Sequence, residues 1–225
     1  CYPAQSSGKG CAMAIEAVIW DFGGVFTTSP FDAFNRYERE RGLPVDIIRK
    51  INTVNPDTNA WAKIERSDVD AASFDGLFAE EANALGHDIR GADVLALLSG
   101  DLRPAVVAAF FACKARFKVG CITNNAPTGK GAGMSASSDK AQQIADVFAQ
   151  FDHVIESSKA GLRKPDPRIY LMMCEALGVK AEACVYLDDL GINLKPAREM
   201  GMTTIKVLSE SQLLADLSRV VGIRF

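Results

Sequence analysis

Three apolar runs in this sequence end in groups that can do chemistry. Asp21 follows Ala17–Trp20, Thr123 and Asn124 follow VGCI, and the carboxylate pair Asp188 and Asp189 follows CVYL. A short apolar run bounded by turn residues reads as a buried strand, and open α/β sheets collect their ligands at the carboxyl ends of strands. Groups far apart in the chain are therefore expected to converge. One aspartate after one strand is more commonly a cap or turn residue. Three chemical strand ends, together with the lysine-bearing stretch GLRKPDP around Lys164, argue for a site. Taken alone, Lys164 reads more readily as a solvated side chain ahead of a helix started by Pro165 or Pro167.

Phosphoryl chemistry fits these residue types. The Asp21 carboxylate is a candidate nucleophile for phosphorus, forming an aspartyl-phosphate. Asp188 and Asp189 are expected to share with Asp21 a small, hard cation such as Mg²⁺, which prefers oxygen ligands. The Thr123 hydroxyl, Asn124 and the Lys164 ammonium are the candidate holders of phosphoryl oxygens. Asn193 follows the acidic pair closely enough to shape its loop, with a turn or helix-cap role as the alternative.

The elements that must position these groups alternate along the chain. Strands are expected at Ala17–Trp20, VGCIT, HVIE, CVYLD and TTIKV. Helices are expected from Pro104, over AQQIADVFAQF, over Ile169–Leu177, over Leu194–Met200 and over Ser211–Val220. This rhythm predicts a Rossmann-like α/β fold, a mostly parallel sheet with helices on both faces. Residues 29–101 break the rhythm with helix-like segments and no strong strand run, and read as an inserted helical cap on a core made of 14–28 and 102–225. Within the cap, Asp70 is the expected N-cap of a helix carrying Phe74, Leu77 and Phe78. Trp61, Phe74 and Phe78 are candidate aromatics at a substrate entrance, with the four-residue spacing of Phe74 and Phe78 favouring a core role for those two. Residues 1–13 read as a flexible extension, with Met13 a candidate native start, and the Gly- and Ser-rich stretch 126–140 reads as a mobile loop.

Composition narrows the function classes. The 225 residues carry 25 Lys and Arg against 28 Asp and Glu, a formal net charge of -3, so nucleic-acid binding has no global electrostatic support. No run reaches the roughly 20 apolar residues of a membrane helix. Six cysteines at 1, 11, 113, 121, 174 and 184 lack ligand-like spacing and read as buried thiols of a reducing, cytoplasmic compartment. The two histidines, His87 and His153, do not support a histidine-based mechanism.

Asp21 in DFGGVF, Thr123 in CITNN, Lys164 in GLRKPDPRIY and Asp188–Asp189 in YLDDLGINLKPAREMGM resemble, in order, the four signatures of the haloacid dehalogenase-like hydrolase superfamily. The last motif and its continuation are similar to the phosphatase domain of soluble epoxide hydrolases and to the related domain of an acyl-CoA dehydrogenase family member. The resemblance runs from about residue 14 to the end and includes a helical cap between the first two signatures. It implies a Mg²⁺-dependent phosphatase acting on a small phosphorylated metabolite or a lipid phosphate, with Asp21 as nucleophile and Thr123 and Lys164 on the phosphate. Asp188, Asp189 and the Gly23 carbonyl would join Asp21 on the metal. One position departs from the pattern. Phosphatases of this kind carry a second aspartate two residues after the nucleophile, and here Gly23 stands there. A general acid–base group contributes roughly 10²–10⁴-fold, so a catalytically weakened phosphate-binding or regulatory domain and a dehalogenase-like hydrolase stand as alternatives.

Overall fold

The computed structural model describes residues 14–127 and 138–225. The expected extension at 1–13 and most of the expected loop at 126–140 lie outside those residues. Five strands form one sheet in the order β3-β2-β1-β4-β5: β1 (Ala17–Trp20), β2 (Lys118–Thr123), β3 (His153–Glu156), β4 (Cys184–Asp188) and β5 (Thr203–Lys206). Every pairing is parallel, with Trp20 opposite both Cys121 and Leu187. The chain builds outward from β1 through β2 to β3, then returns to the other side of β1 to lay down β4 and β5. The reversal makes the carboxyl ends of β1 and β4 the topological switch point, where such sheets bind ligands.

Alternate residues of each strand face opposite layers. Val18 and Trp20 pack with Val119, Cys121, Val185 and Leu187 against α6 (Pro104–Lys114), α7 (Ser138–Phe148) and α11 (Glu210–Val221). Ala17 and Ile19 pack with Ile122, Ile155 and Tyr186 against α9 (Pro167–Leu177) and α10 (Gly191–Glu199). Both faces are thus covered, as a parallel sheet requires. Cys113, Cys121, Cys174 and Cys184 are buried and unbridged, and among the described residues no helix is long and apolar enough to cross a membrane. A short helix, α8 (Ser157–Ala160), which the sequence pattern does not announce, follows β3 directly.

Between β1 and α6 come five helices: α1 (Pro30–Glu40), α2 (Ile47–Thr53), α3 (Ala60–Glu65), α4 (Ala71–Ala84) and α5 (Gly91–Ala96). They bury a cluster of their own, centred on Phe34, Ile48, Ile51, Phe74 and Phe78. Asp70 caps α4 by accepting from the Ser73 amide at 2.8 Å, and Phe74 and Phe78 are fully buried. The entry and exit chains of this insertion lie side by side. Thr27 bridges Leu102, and the Thr28 amide donates to the Asp101 carbonyl at 2.8 Å.

Gly120 on β2 lets α9 approach closely, since a Cβ there would come within 2.5 Å of the Met173 sulfur and 3.1 Å of Leu177. Gly120→Val should therefore lower unfolding stability by about 1–3 kcal/mol through overpacking. Urea unfolding at equilibrium measures it, and a midpoint equal to that of the parent would contradict this packing.

Candidate active site

The sheet delivers Asp21 at the end of β1, Thr123 at the end of β2 and Asp188 at the end of β4, all buried. The Asp21 amide donates to the Leu187 carbonyl at 2.8 Å, which ties the loop after β1 to β4. That loop then turns sharply. Gly24 has φ +75°, and a Cβ on it would meet the Asp189 carboxylate at 2.3 Å, so position 24 needs glycine twice over. Arg103 fixes the same turn by donating to the Gly24 carbonyl at 3.0 Å.

Lys164 stands at the centre. It is only 1% exposed, and its Nζ lies 2.8 Å from Asp21 Oδ1 and 2.9 Å from Asp188 Oδ2. The solvated-lysine reading is thereby excluded. Burial opposes the charge on Lys164, but Asp188 and Asp21 together raise its pKa above the usual lysine range, so the ammonium stays protonated. Asp188 is saturated: its two oxygens accept from Lys164, the Tyr186 hydroxyl at 2.5 Å, the Leu190 amide at 2.8 Å and Asn193 Nδ2 at 3.1 Å. Asn193 is therefore a support of the acidic pair inside α10 and not a cap. Asp21 receives both its donors, Lys164 and the Phe22 amide, on Oδ1.

One carboxylate oxygen from each of Asp21, Asp188 and Asp189 lies within 4.8 Å of the other two. Burial raises the Asp21 carboxyl well above its ordinary pKa, with Lys164 opposing and Asp188 and Asp189 reinforcing the rise. Burial and then Asp188 push Asp189 up to about 6. Three clustered carboxylates against one ammonium leave a surplus of negative charge, and the all-oxygen donor set is the chemistry that a small divalent cation such as Mg²⁺ takes.

The remaining expected residues fall into two groups. Thr123 is buried at the end of β2, one residue before Asn124. The Asn124 side chain is committed to the backbone of Lys164, donating to its carbonyl at 3.1 Å and accepting its amide at 2.9 Å. Gly23 is exposed, and a Cβ there would meet nothing within 4 Å. Trp61 is half-buried on α3, edge-on to Phe74, and its indole nitrogen donates to Glu65 at 2.9 Å. Glu65, Arg163 and Tyr186 escaped the sequence reading. Tyr186 sits two positions before Asp188 in one strand, a spacing that shares a face. Trp61 and Glu65 are four apart on one helix, the spacing of facing side chains.

The comparisons with known proteins agree with this geometry. The family model for haloacid dehalogenase-like hydrolase matches residues 15–201. The chain is 28% identical to the bifunctional epoxide hydrolase 2 of Mus musculus over 95% of its own length and 40% of that protein's, so it spans less than half of that relative. It is 31% identical to the phosphatase MT3486 of Mycobacterium tuberculosis (strain CDC 1551 / Oshkosh), over 94% of this chain and 97% of that one. Its fold matches a haloacid dehalogenase family enzyme of Bacteroides thetaiotaomicron, solved in complex with magnesium and inorganic phosphate, with a TM-score of 0.58 at 16% identity, covering 88% of this chain and 96% of the other. With an acidic cluster and a buried lysine at the strand ends and a family match across most of its length, this chain belongs to the haloacid dehalogenase-like hydrolases.

Proposed function

We propose that this chain is a Mg²⁺-dependent phosphatase that hydrolyses a small phosphate monoester through an aspartyl-phosphate on Asp21. The observation that carries the reading is the buried Lys164 ammonium, held between Asp21 and the saturated Asp188 at the mouth of the sheet. Both donors to Asp21 fall on Oδ1, so among the described residues Oδ2 keeps its lone pairs for attack. Asp21 Oδ2 bonds to phosphorus as the bond to the alcohol oxygen breaks, and that oxygen takes up a proton from solvent water. Water then attacks phosphorus, the acyl-phosphate bond breaks, and inorganic phosphate leaves with the carboxylate restored. Lys164 and Thr123 hold the phosphoryl oxygens. Asp189, Asp21 and the Gly23 carbonyl would hold Mg²⁺, while Asp188 mainly orients the lysine. When bound, Mg²⁺ offsets the repulsion between these carboxylates and the phosphate dianion.

Gly23 favours a second reading, a phosphate-binding domain with weakened turnover, because no side chain two residues after the nucleophile can pass a proton to the leaving group. Halide release without Mg²⁺ would favour a dehalogenase instead. The cap assignment of 29–101 and a substrate-facing role for Trp61 belong to the proposal as well, and the substrate is a small phosphorylated metabolite or a lipid phosphate handled in the cytoplasm.

Four measurements test this reading. Asp21→Asn should lower turnover of an aryl phosphate by several orders of magnitude with the fold retained, and near-parental activity in the folded variant removes Asp21 as nucleophile. Mg²⁺ binding should weaken more in Asp189→Asn than in Asp188→Asn by calorimetry. It should also depend on pH. A carboxyl whose folded pKa is raised to about 6 stabilises the metal-free fold below its unfolded pKa and loses that contribution as pH rises through about 6. Mg²⁺ competes with that proton, so the metal should raise the melting temperature more at about pH 7 than at about pH 5; equal shifts at both would remove Asp189 from the metal site. Finally, the open space at Gly23 accommodates Gly23→Asp. Restoring the carboxylate should accelerate alkyl phosphates over activated aryl phosphates by up to about 10²–10⁴-fold, because an alkoxide needs the proton and a stabilised phenolate does not. No alkyl-selective gain in a folded, Mg²⁺-binding variant would place the proton donor elsewhere.

A further inference from the structure

We propose that Glu65, on the helical insertion, is a positioning residue for Lys164, so that docking of the insertion on the core sets the catalytic lysine in place. Glu65 closes α3 and is 7% exposed, an acidic side chain buried at the boundary between insertion and sheet. It reaches both segments that fix the lysine. Its Oε2 lies 2.6 Å from Arg163 Nε, and Arg163 immediately precedes Lys164. The same oxygen accepts from Asn124 Nδ2 at 3.3 Å. That amide nitrogen also donates to the Lys164 carbonyl, while the Asn124 oxygen accepts the Lys164 amide. On its other side Glu65 Oε1 accepts from Trp61, whose ring packs on the insertion core through Phe74.

A chain of contacts thus runs from the insertion core through Trp61, Glu65 and Asn124 to the lysine backbone. Two more bonds hold the same seam: Arg163 donates to the Pro56 carbonyl at 2.8 Å, and the Ser67 hydroxyl to the Ser158 carbonyl at 2.6 Å. Trp61 and Asn124 donate to its oxygens and Arg163 pairs with it; burial raises the Glu65 carboxyl above its ordinary pKa, and Arg163 and Trp61 oppose that rise. Removing it would leave Arg163 a half-buried charge without its acidic partner and free the Asn124 amide from one of its two acceptors. Lys164 would then lose a fixed origin for its side chain, and small displacements of a catalytic group cost heavily.

The Lys164 amide reports this clamp directly, because it donates to Asn124. In Glu65→Ala, amide exchange at Lys164 measured by NMR should accelerate by about tenfold, with exchange in β1 unchanged. Affinity for inorganic phosphate in the presence of Mg²⁺ should fall by a similar factor. Glu65→Gln, which keeps the shape and an acceptor but loses the ion pair, should lie between parent and Glu65→Ala on both readouts. Unchanged Lys164 exchange in either folded variant overturns the proposal, as does a uniform acceleration across the sheet, which would make Glu65 a stability residue only. The phosphate readout rests on the phosphatase reading and the exchange readout does not. A parent that binds no phosphate defeats the phosphatase reading and leaves Lys164 exchange to decide the role of Glu65.

Discussion

Burying an ammonium costs several kcal/mol unless carboxylates and hydrogen bonds replace its water, and the sheet of this protein ends in an arrangement that does so for Lys164. Asp21 and Asp188 come from neighbouring strands, β1 and β4, and meet at the lysine from two sides. Asp188 is in turn held by Tyr186, Asn193 and the Leu190 amide. Each of these partners exists to fix a charge at one point. Both oxygens of Asp188 are thereby engaged, while burial, reinforced by the neighbouring carboxylates and opposed by Lys164, raises the carboxyl pKa values of Asp21 and Asp189.

The fold serves this charge by topology. Because the strand order reverses at β1, the first and fourth strands lie adjacent and their carboxyl ends lie side by side. The loop after β1 is compressed against Asp189, and only glycine fits at position 24. Arg103, at the return from the insertion, holds the carbonyl of that glycine. The loop after β1 and the re-entry of the chain into the core are therefore mechanically one unit, with the Thr27 to Leu102 bridge beside them.

The insertion meets the sheet through polar as well as apolar contacts: Ala126 packs into its apolar cluster, and Glu65, Arg163, Asn124 and Ser67 make polar contacts beside it. Directional bonds fix a register that apolar packing leaves soft, because hydrophobic contact is non-directional. At Gly23 the opposite holds. The position is exposed and spacious, so the space for an acid–base side chain exists while the side chain does not.

By itself the sequence determined the layered α/β core. The strands at Ala17–Trp20, His153–Glu156 and Cys184–Asp188 are announced by short apolar runs, and the helix starts by Pro104, Pro167 and Asp70, because period and capping are local properties. It also placed Asp21, Thr123 and the acidic pair at strand ends, since a carboxylate terminating an apolar run is visible without coordinates. Only the tertiary structure decided how the partners are shared. That Asn124 serves the Lys164 backbone, that Asp188 is fully occupied while Asp189 is not, and that Trp61 turns its indole nitrogen toward Glu65 depend on distances between segments far apart in the chain. Local sequence encodes which residues have chemistry; which of their lone pairs and protons remain uncommitted is fixed by the packing of one segment against another.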